Sequence, residues 1–397
     1  MKKVNLRING RPIQVAADKT FVLLDLLRET LGLTGTKQSC DRKGQCGACT
    51  VIVNGKAVLS CLTRVSGLNG AEVITVEGLG TPENPHLIQE AFVLAGAVQC
   101  GFCTPGMIMA TKALLDKNPN PSREEIKQAL RRNICRCTGY AKIIEAVELA
   151  GRFLRGETTP DAVRPGADAD PMGINHPRPS GLIKACGTAQ FTADIRFPGA
   201  LELAALRSPL AHATIKSLDV SKALSQPGVI GVMTAKDIKG TNRLKYVVPD
   251  RPILCEDRVR YIGDPITVVA AKTREQALAA LKFIQVEYEE LPALANTEQA
   301  LADDAVQVHE QWPNLCFQQP QIKGDAGTAL SGSKAVVHAR FNTQINHQAP
   351  LEPETCAAYL EGDGDDEQLV VIGRSINIHH HLGMLQDAVG WEDMHYE

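Results

Sequence analysis

The chain has 397 residues, of which 44% are hydrophobic and 22% charged, and its formal net charge is −3. That length exceeds one ordinary core and predicts two to four domains, while the apolar content excludes a disordered chain. The near-neutral charge lacks the basic footprint of a nucleic-acid-binding protein, so no nucleic-acid partner is expected. No run of 18 apolar residues occurs, so no membrane-spanning helix is expected. The opening MKKVNLRINGRPIQV alternates polar and apolar residues and has no continuous apolar stretch of the signal-peptide kind. A cytoplasmic location follows as the expectation.

Residues 1–77 read as strands around one helix. VNLRING and RPIQVAA flank Asn9-Gly10, a tight-hairpin signal, and CTVIVNGKAVLSC repeats it at Asn54-Gly55. Between them TFVLLDLLRETLGL carries apolar residues at helical spacing, with Asp18 or Thr20 as the predicted N-cap. AEVITVEG adds a strand, which gives the order of a small ferredoxin-like β-grasp domain. Residues 78–155 read as helices only, in PHLIQEAFVLAGA, PGMIMATKALLDKN, SREEIKQALRRN and YAKIIEAVELAGRFLRG. Ser122 and Glu125 are spaced as a capping box for the third. Four short helices with short joins predict a compact bundle.

Residues 156–180 are rich in Pro, Gly and Asp and read as an extended surface linker. From 181 to about 305 strands and helices alternate, as in DPITVVAA, TREQALAALKF (Thr273 and Gln276 spaced as a capping box) and IQVEYEEL, which predicts a mixed α/β domain. From 306 to 397, AVVHARFNTQI alternates as a strand does and EQLVVIGRSI reads as another. The fold class is therefore multidomain α+β. No period of 20 to 50 residues recurs, so the chain is not a solenoid.

Twelve cysteines are present, and eight fall in the first 140 residues as two sets of four. Clustered thiols in a reducing compartment read as metal ligands. Cys40, Cys46, Cys49 and Cys61 form the first set. Three come from one glycine-bearing loop and the fourth from a hairpin, close to the plant-type [2Fe–2S] pattern rather than the paired knuckles of zinc. Cys40 and Cys46 are separated by five residues, one more than the reference spacing. Cys100, Cys103, Cys135 and Cys137 form the second set, whose spacing suits zinc or a cluster alike. Helix N-termini near these thiols favour an anionic group. The scattered Cys186, Cys255, Cys316 and Cys356 read as buried inert thiols. His379, His380 and His381 lack a partner set for a metal, though on a strand His379 and His381 would share a face. Glu352 and Glu354 read as surface acids. No dinucleotide-binding or P-loop motif occurs.

CDRKGQCGACTVIVNGKAVLSC, QCGFCTPGMIMA and NICRCTGY resemble the two-cluster front end of the molybdenum hydroxylases, the xanthine oxidase family. RPILCEDRVRYIGDPITVVAA and VEYEELPAL resemble the α/β domain that follows in bacterial aldehyde oxidoreductases. The resemblance implies an outer [2Fe–2S] cluster on the first set and an inner one on the second, next to the pterin of a molybdenum cofactor, with Gln99 and Cys137 in the pterin's neighbourhood. It implies residues 181–305 as the aldehyde oxidase/xanthine dehydrogenase α/β domain and 306–397 as the beginning of the molybdenum-cofactor domain, with no flavin (FAD) module between. It also implies oxidation of an aldehyde and water to a carboxylic acid, with electrons leaving through the clusters to an external acceptor such as ferredoxin or flavodoxin, in an oligomeric enzyme. The glycine-rich cofactor loop and the catalytic base of the family lie beyond the last residue, so no catalytic residue is expected in this chain. A molybdenum-binding subunit or a further C-terminal part is expected to complete it. A second expectation is an electron-transfer subunit of a xanthine or N-heterocycle dehydrogenase, and a third is a zinc-stabilised binding module.

Overall fold

The computed structural model describes residues 2–166, 168–246 and 248–396. The chain divides into two compact units, Met1–Ile195 with Gln344–Thr355, and Arg196–Thr343 with Cys356–Glu397. Among the described residues no helix is long and apolar enough to cross a membrane.

The first unit opens with a five-stranded sheet of β1 (Lys2–Ile8), β2 (Arg11–Ala17), β3 (Thr50–Val53), β4 (Lys56–Leu59) and β5 (Glu72–Ile74). The strand order is β2-β1-β5-β3-β4, with β1 and β5 parallel and the other neighbours antiparallel. Strict alternation in β1 buries Val4, Leu6 and Ile8 and leaves Lys3, Asn5 and Arg7 in solvent. Both predicted hairpins form. Asn9-Gly10 and Asn54-Gly55 all have positive φ (48°, 78°, 47° and 75°), as a two-residue type I′ turn requires.

The helix α1 (Leu23–Asp25) continues as a π-helical turn, Leu26–Thr30, and buries Leu23, Leu24, Leu26 and Leu27 beneath the sheet. Neither Asp18 nor Thr20 caps it. Val22 is the N-cap, held extended by a bridge to Arg64, so the helix cannot begin earlier. The Asp18 carboxylate instead accepts from the amides of Thr20 and Phe21 in a separate turn.

The predicted helices follow as α2 (Leu87–Leu94), α3 (Thr104–Leu115), α4 (Arg123–Leu130) and α5 (Ala141–Leu154). Their core contains Phe92, Met107, Ile108, Ile126, Ile143 and Val147, and it runs without a break into Cys46 and Ala48 of the loop before β3 and Ile52 of that strand. The Ser122–Glu125 capping box is complete. Ser122→Ala is expected to cost about 1 kcal/mol, measurable as a lowered urea midpoint of the helical signal. The segment after α5 holds one short turn, α6 (Pro160–Val163), and then α7 (Gly181–Ala185), whose Gly181 and Ala185 return to the helical core. A buried ion network closes the unit. Asp194 pairs with Arg28 at 2.8 Å and with Lys37, whose side chain is 1% exposed.

The second unit contains two three-stranded sheets built from β6 (Glu202–Arg207), β7 (Ala213–Asp219), β8 (Val229–Met233), β9 (Arg258–Val259), β10 (Pro265–Ala271) and β11 (Gln285–Glu290). They are ordered β6-β10-β8 and β11-β7-β9, antiparallel throughout. Helices α8 (Ser221–Leu224) and α9 (Arg274–Ala280) pack on β8 and on β6 and β10 respectively. The capping box expected at α9 is half made. Thr273 accepts from the Gln276 amide at 3.3 Å, but the Gln276 side-chain oxygen is buried without a partner, packed over Gly228.

Beyond α10 (Thr297–Ala300) and α11 (Ala326–Ser331), a third sheet is formed by β12 (Cys356–Glu361), β13 (Gln368–Gly373) and β14 (Met394–Tyr396) in that order, with α12 (Ile378–Val389) before the last strand. AVVHARFNTQI is not a strand. Val337 and Phe341 are largely exposed, and among the described residues no neighbouring strand pairs with the segment, which leaves its alternation nothing to pack on. The three histidines lie in α12, not on a strand, because Asn377 caps that helix by accepting from the His380 amide at 3.2 Å. Three successive residues then fan around the helix. His381 bonds Ser375 Oγ at 2.7 Å and Tyr246 Oη at 3.3 Å.

Candidate functional site: two cysteine quartets

The first quartet is built by the loop after the π-helical turn and by the short turn after β4. Cys46, Cys49 and Cys61 are buried, and Cys40 is half-buried. The loop between Cys40 and Cys46 passes through two successive left-handed non-glycine residues, Asp41 (φ 49°) and Arg42 (φ 62°), with the Arg42 guanidinium 2.8 Å from Asp25. Gly44 has φ 68°, a conformation that favours glycine, and the Leu62 side chain covers it, its Cδ1 2.5 Å from where a Cβ would stand. The loop therefore closes tightly around its thiols.

The four thiols lie close enough to influence one another: Cys46 acts most directly on Cys40 and Cys61 on Cys49, and Cys61 also feels Cys40 and Cys46. Burial pushes Cys40 up, but the amides of Cys46, Gln45 and Lys43 aimed at its sulfur outweigh that and hold it below the usual thiol range. The Gln45 amide lies 3.4 Å from Cys40 Sγ. The hydrogen bond from Cys49 holds Cys61 down, and the same bond together with burial pushes Cys49 up. Burial also raises Cys46.

The second quartet repeats the arrangement at one end of the helices. Cys103 is the N-cap of α3, and Cys135 and Cys137 lie on the join between α4 and α5. Cys103 pairs with Cys135, and Cys100 with Cys137. Cys135 is drawn down to about 5 by the hydrogen bond from Cys103 and by the hydroxyl and amide of Thr138; Thr138 Oγ1 is 3.1 Å from its sulfur. Burial raises Cys100 to about 11. Cys137 and Gln99 are both exposed, and the Gln99 carbonyl accepts from Lys184 Nζ at 3.2 Å.

In each quartet the four thiols lie within reach of one another, with backbone amides directed at the sulfurs. A tetrahedral zinc site brings four sulfurs to about 2.3 Å from one centre. Two thiolates for each of two irons, with amide donors around them, is the demand of a [2Fe–2S] cluster, and both quartets fit it.

The quartets are joined by backbone. The Ile134 amide, one residue before Cys135, donates to the Cys46 carbonyl at 2.9 Å. Asn133 Nδ2 donates to the Gly47 carbonyl at 2.9 Å and to Thr50 Oγ1 at 3.2 Å. Gly106 of α3 packs directly on Gly47, where its Cβ would sit 2.3 Å from the Gly47 oxygen. One hydrogen bond thus links a thiol-bearing residue of one quartet to the chain carrying a thiol of the other.

Of the cysteines expected to be inert, Cys186 and Cys255 are buried and raised by desolvation to about 11 and about 12. Cys316 and Cys356 are exposed, Cys316 in an irregular segment and Cys356 at the start of β12, where it pairs with Gly373 of β13. Sequence reasoning missed Asn133, Lys184 and the Asp194 network. Each lies far along the chain from the thiol-bearing residues it supports, so no local spacing announces it.

Comparison with known proteins matches residues 6–72 to the 2Fe-2S iron-sulfur cluster binding domain and residues 75–148 to the [2Fe-2S] binding domain. Residues 186–292 match the aldehyde oxidase and xanthine dehydrogenase a/b hammerhead domain, and residues 308–395 the molybdopterin cofactor-binding domain. The aldehyde oxidoreductase of Megalodesulfovibrio gigas is 40% identical over 406 residues, covering 98% of this chain and 44% of that protein. A solved structure of the aldehyde oxidoreductase from Desulfovibrio gigas superposes with a TM-score of 0.91 at 39% identity, covering 99% of this chain and 45% of that one. The chain therefore spans less than half the length of these relatives. The small FeS subunit of nicotinate dehydrogenase from Eubacterium barkeri is 50% identical over 147 residues, 37% of this chain and 93% of that subunit. The order of two iron–sulfur domains, a hammerhead domain and the start of a molybdopterin-binding domain is shared along the whole chain, and the chain belongs to the molybdenum hydroxylase (xanthine oxidase) family.

Proposed function

We propose that Cys40, Cys46, Cys49 and Cys61 hold an outer [2Fe–2S] cluster and Cys100, Cys103, Cys135 and Cys137 an inner one. The chain then carries electrons out of a molybdenum-dependent aldehyde oxidoreductase that converts an aldehyde and water to a carboxylic acid. The observation that carries this reading is the gathering of the eight thiols into two quartets, one in each of the two segments that match iron–sulfur domains. When bound, the molybdenum cofactor supplies the two-electron oxidation of the substrate. The residues of this chain orient and insulate the exit. The loop amides offset part of the sulfur charge, the buried thiols exclude water, and the Cys46–Ile134 hydrogen bond links the two quartets directly.

In this reading Gln99 and Cys137 face the pterin, and their exposure suits a surface that another part of the enzyme covers. The domain divisions at 77, 155, 180 and 305 follow, with a molybdenum-binding remainder or partner chain, a small electron acceptor of the ferredoxin or flavodoxin kind, and a cytoplasmic, oligomeric enzyme. The half-buried Cys40 marks the side from which the acceptor takes electrons. A second reading, the electron-transfer part of an N-heterocycle dehydrogenase, is supported by the 50% identity to the nicotinate dehydrogenase subunit. The aldehyde reading is preferred because the likeness to an aldehyde oxidoreductase extends over 98% of the chain.

The purified chain is expected to contain about four iron atoms and as many acid-labile sulfides, with two distinct electron paramagnetic resonance signals on reduction. Stoichiometric zinc without visible absorption would refute the reading. Cys40→Ser is expected to abolish one signal and leave the other; survival of both would mean that Cys40 is not a ligand. Turnover of N-heterocycles but not aldehydes by the complete enzyme would favour the second reading.

A further inference from the structure

The second quartet carries a cation that its own sequence motif does not contain. Lys184 lies on α7, which is anchored in the helical core. Gly181 packs on Val93, Ala185 is buried, and the Ala185 carbonyl accepts from Gln89 Nε2 at 3.4 Å. The helix projects the lysine side chain across the peptides that flank Cys100. Its Nζ donates to the Gln99 carbonyl at 3.2 Å, and its stem fills the space over Gly101. A Cβ on Gly101 (φ 90°) would lie 2.5 Å from Lys184 Cδ, so the thiol loop is shaped to receive that stem.

Electrostatics agree with the geometry. Burial and the nearby Arg178 depress the Lys184 ammonium, while Cys100, Glu352 and Cys137 draw it upward. Arg178 is itself held by Ser180 at 2.8 Å. Arg136, between Cys135 and Cys137 in the chain, donates to the carbonyls of His347 (2.8 Å) and Gln348 (2.6 Å).

We infer that Lys184 sets the reduction potential of the second cluster, holding a fixed positive charge against the Cys100–Cys137 side so that the reduced form is favoured. The inference rests on the reading that the second quartet holds a [2Fe–2S] cluster. Reduction adds one electron and no proton, so the cluster with its thiolates gains one negative charge. A neighbouring cation stabilises that state more than the oxidised one. The ammonium is half-buried and solvent screens part of the effect, which limits it to roughly a threefold to tenfold change in the reduced-to-oxidised ratio. The tenfold limit corresponds to about 59 mV for one electron. Electron uptake by the inner cluster is thus favoured by a residue outside both cysteine motifs.

The test is a dithionite titration of the full chain followed by electron paramagnetic resonance, with iron and sulfide measured on the same samples. Lys184→Met retains the stem and removes the charge. It is expected to lower the potential of the second cluster's signal alone, so that its reduced fraction at a fixed potential falls by roughly threefold to tenfold. Lys184→Arg is expected to restore it. Unchanged potentials, an equal shift of both clusters, or an arginine variant no better than methionine would overturn the inference. If Lys184→Met loses the second cluster, Lys184→Gln is read in its place, and loss of the cluster there too would make the lysine a structural support and overturn the inference as well. Failure of the underlying reading is distinguishable, because the unsubstituted chain would then lack the iron and sulfide of two clusters.

Discussion

Asp194→Ala is expected to destabilise the first unit by about 3–5 kcal/mol, the cost of leaving buried charges without a counter-ion. Asp194 answers two cations at once. Arg28 Nη2 is 2.8 Å from one carboxylate oxygen, and Lys37 Nζ contacts the other and also donates to the Ala189 carbonyl at 3.2 Å. The Lys37, Asp194 and Arg28 side chains are 1%, 2% and 8% exposed, so solvent screens none of them appreciably. Burial depresses the Lys37 ammonium, with Asp194 as the largest opposing influence, and that influence vanishes in the variant.

The network also holds Phe191. Its amide donates to Asp194 at 3.0 Å, its ring lies 4.5 Å from Lys37 Nζ, and it packs edge-on at 5.2 Å against Phe102, between Cys100 and Cys103. Asp194→Ala should therefore lower the urea midpoint and speed the loss of the second cluster to an iron chelator. Lys37→Met should cost less, because Arg28 still neutralises the carboxylate. A loss below about 1 kcal/mol for Asp194→Ala would show that the network contributes little.

Gly47→Ala is expected to break the joint between the two quartets. Gly47 has φ 70°, where an added Cβ costs roughly 1–2 kcal/mol in backbone conformation alone. That Cβ would also stand 2.1 Å from the Arg132 carbonyl oxygen and 2.7 Å from Asn133 Cα, both backbone atoms of the chain that delivers Cys135. Neither can move without releasing the Ile134–Cys46 and Asn133–Gly47 hydrogen bonds. The combined cost should reach several kcal/mol, in the exceptional range for one substitution. Both clusters should be affected although only the first quartet's loop is changed, because the second quartet's chain is displaced. The checks are iron content and the two resonance signals. A variant that retained both clusters with unaltered stability would show that the joint yields easily. Asn133→Ala removes the side-chain bond without the clash and should be milder, in the range of about 1–3 kcal/mol for a buried partner lost.

Local patterns in the sequence determined a good deal about this protein. The two Asn-Gly hairpins, the four helices after the sheet and the Ser122–Glu125 box are short-range features whose hydrogen bonds close within a few residues. The two thiol sets and their family order were legible for the same reason, since ligand spacing is a property of the chain itself. Other readings needed the neighbours. The α1 start depended on the Val22–Arg64 bridge, and the histidine run became helical under an Asn377 cap. Among the described residues the 335–345 alternation had no partner strand, and Cys316 and Cys356 stand on exposed positions of their segments.

Tertiary structure alone decided which thiol pairs with which, that Ile134 bonds Cys46, that Asp194 neutralises Arg28 and Lys37, and that Lys184 lies across the Cys100 loop. The physical reason is common to all four. Electrostatic and hydrogen-bond energies depend on distance in space, and these contacts join residues up to 166 positions apart along the chain.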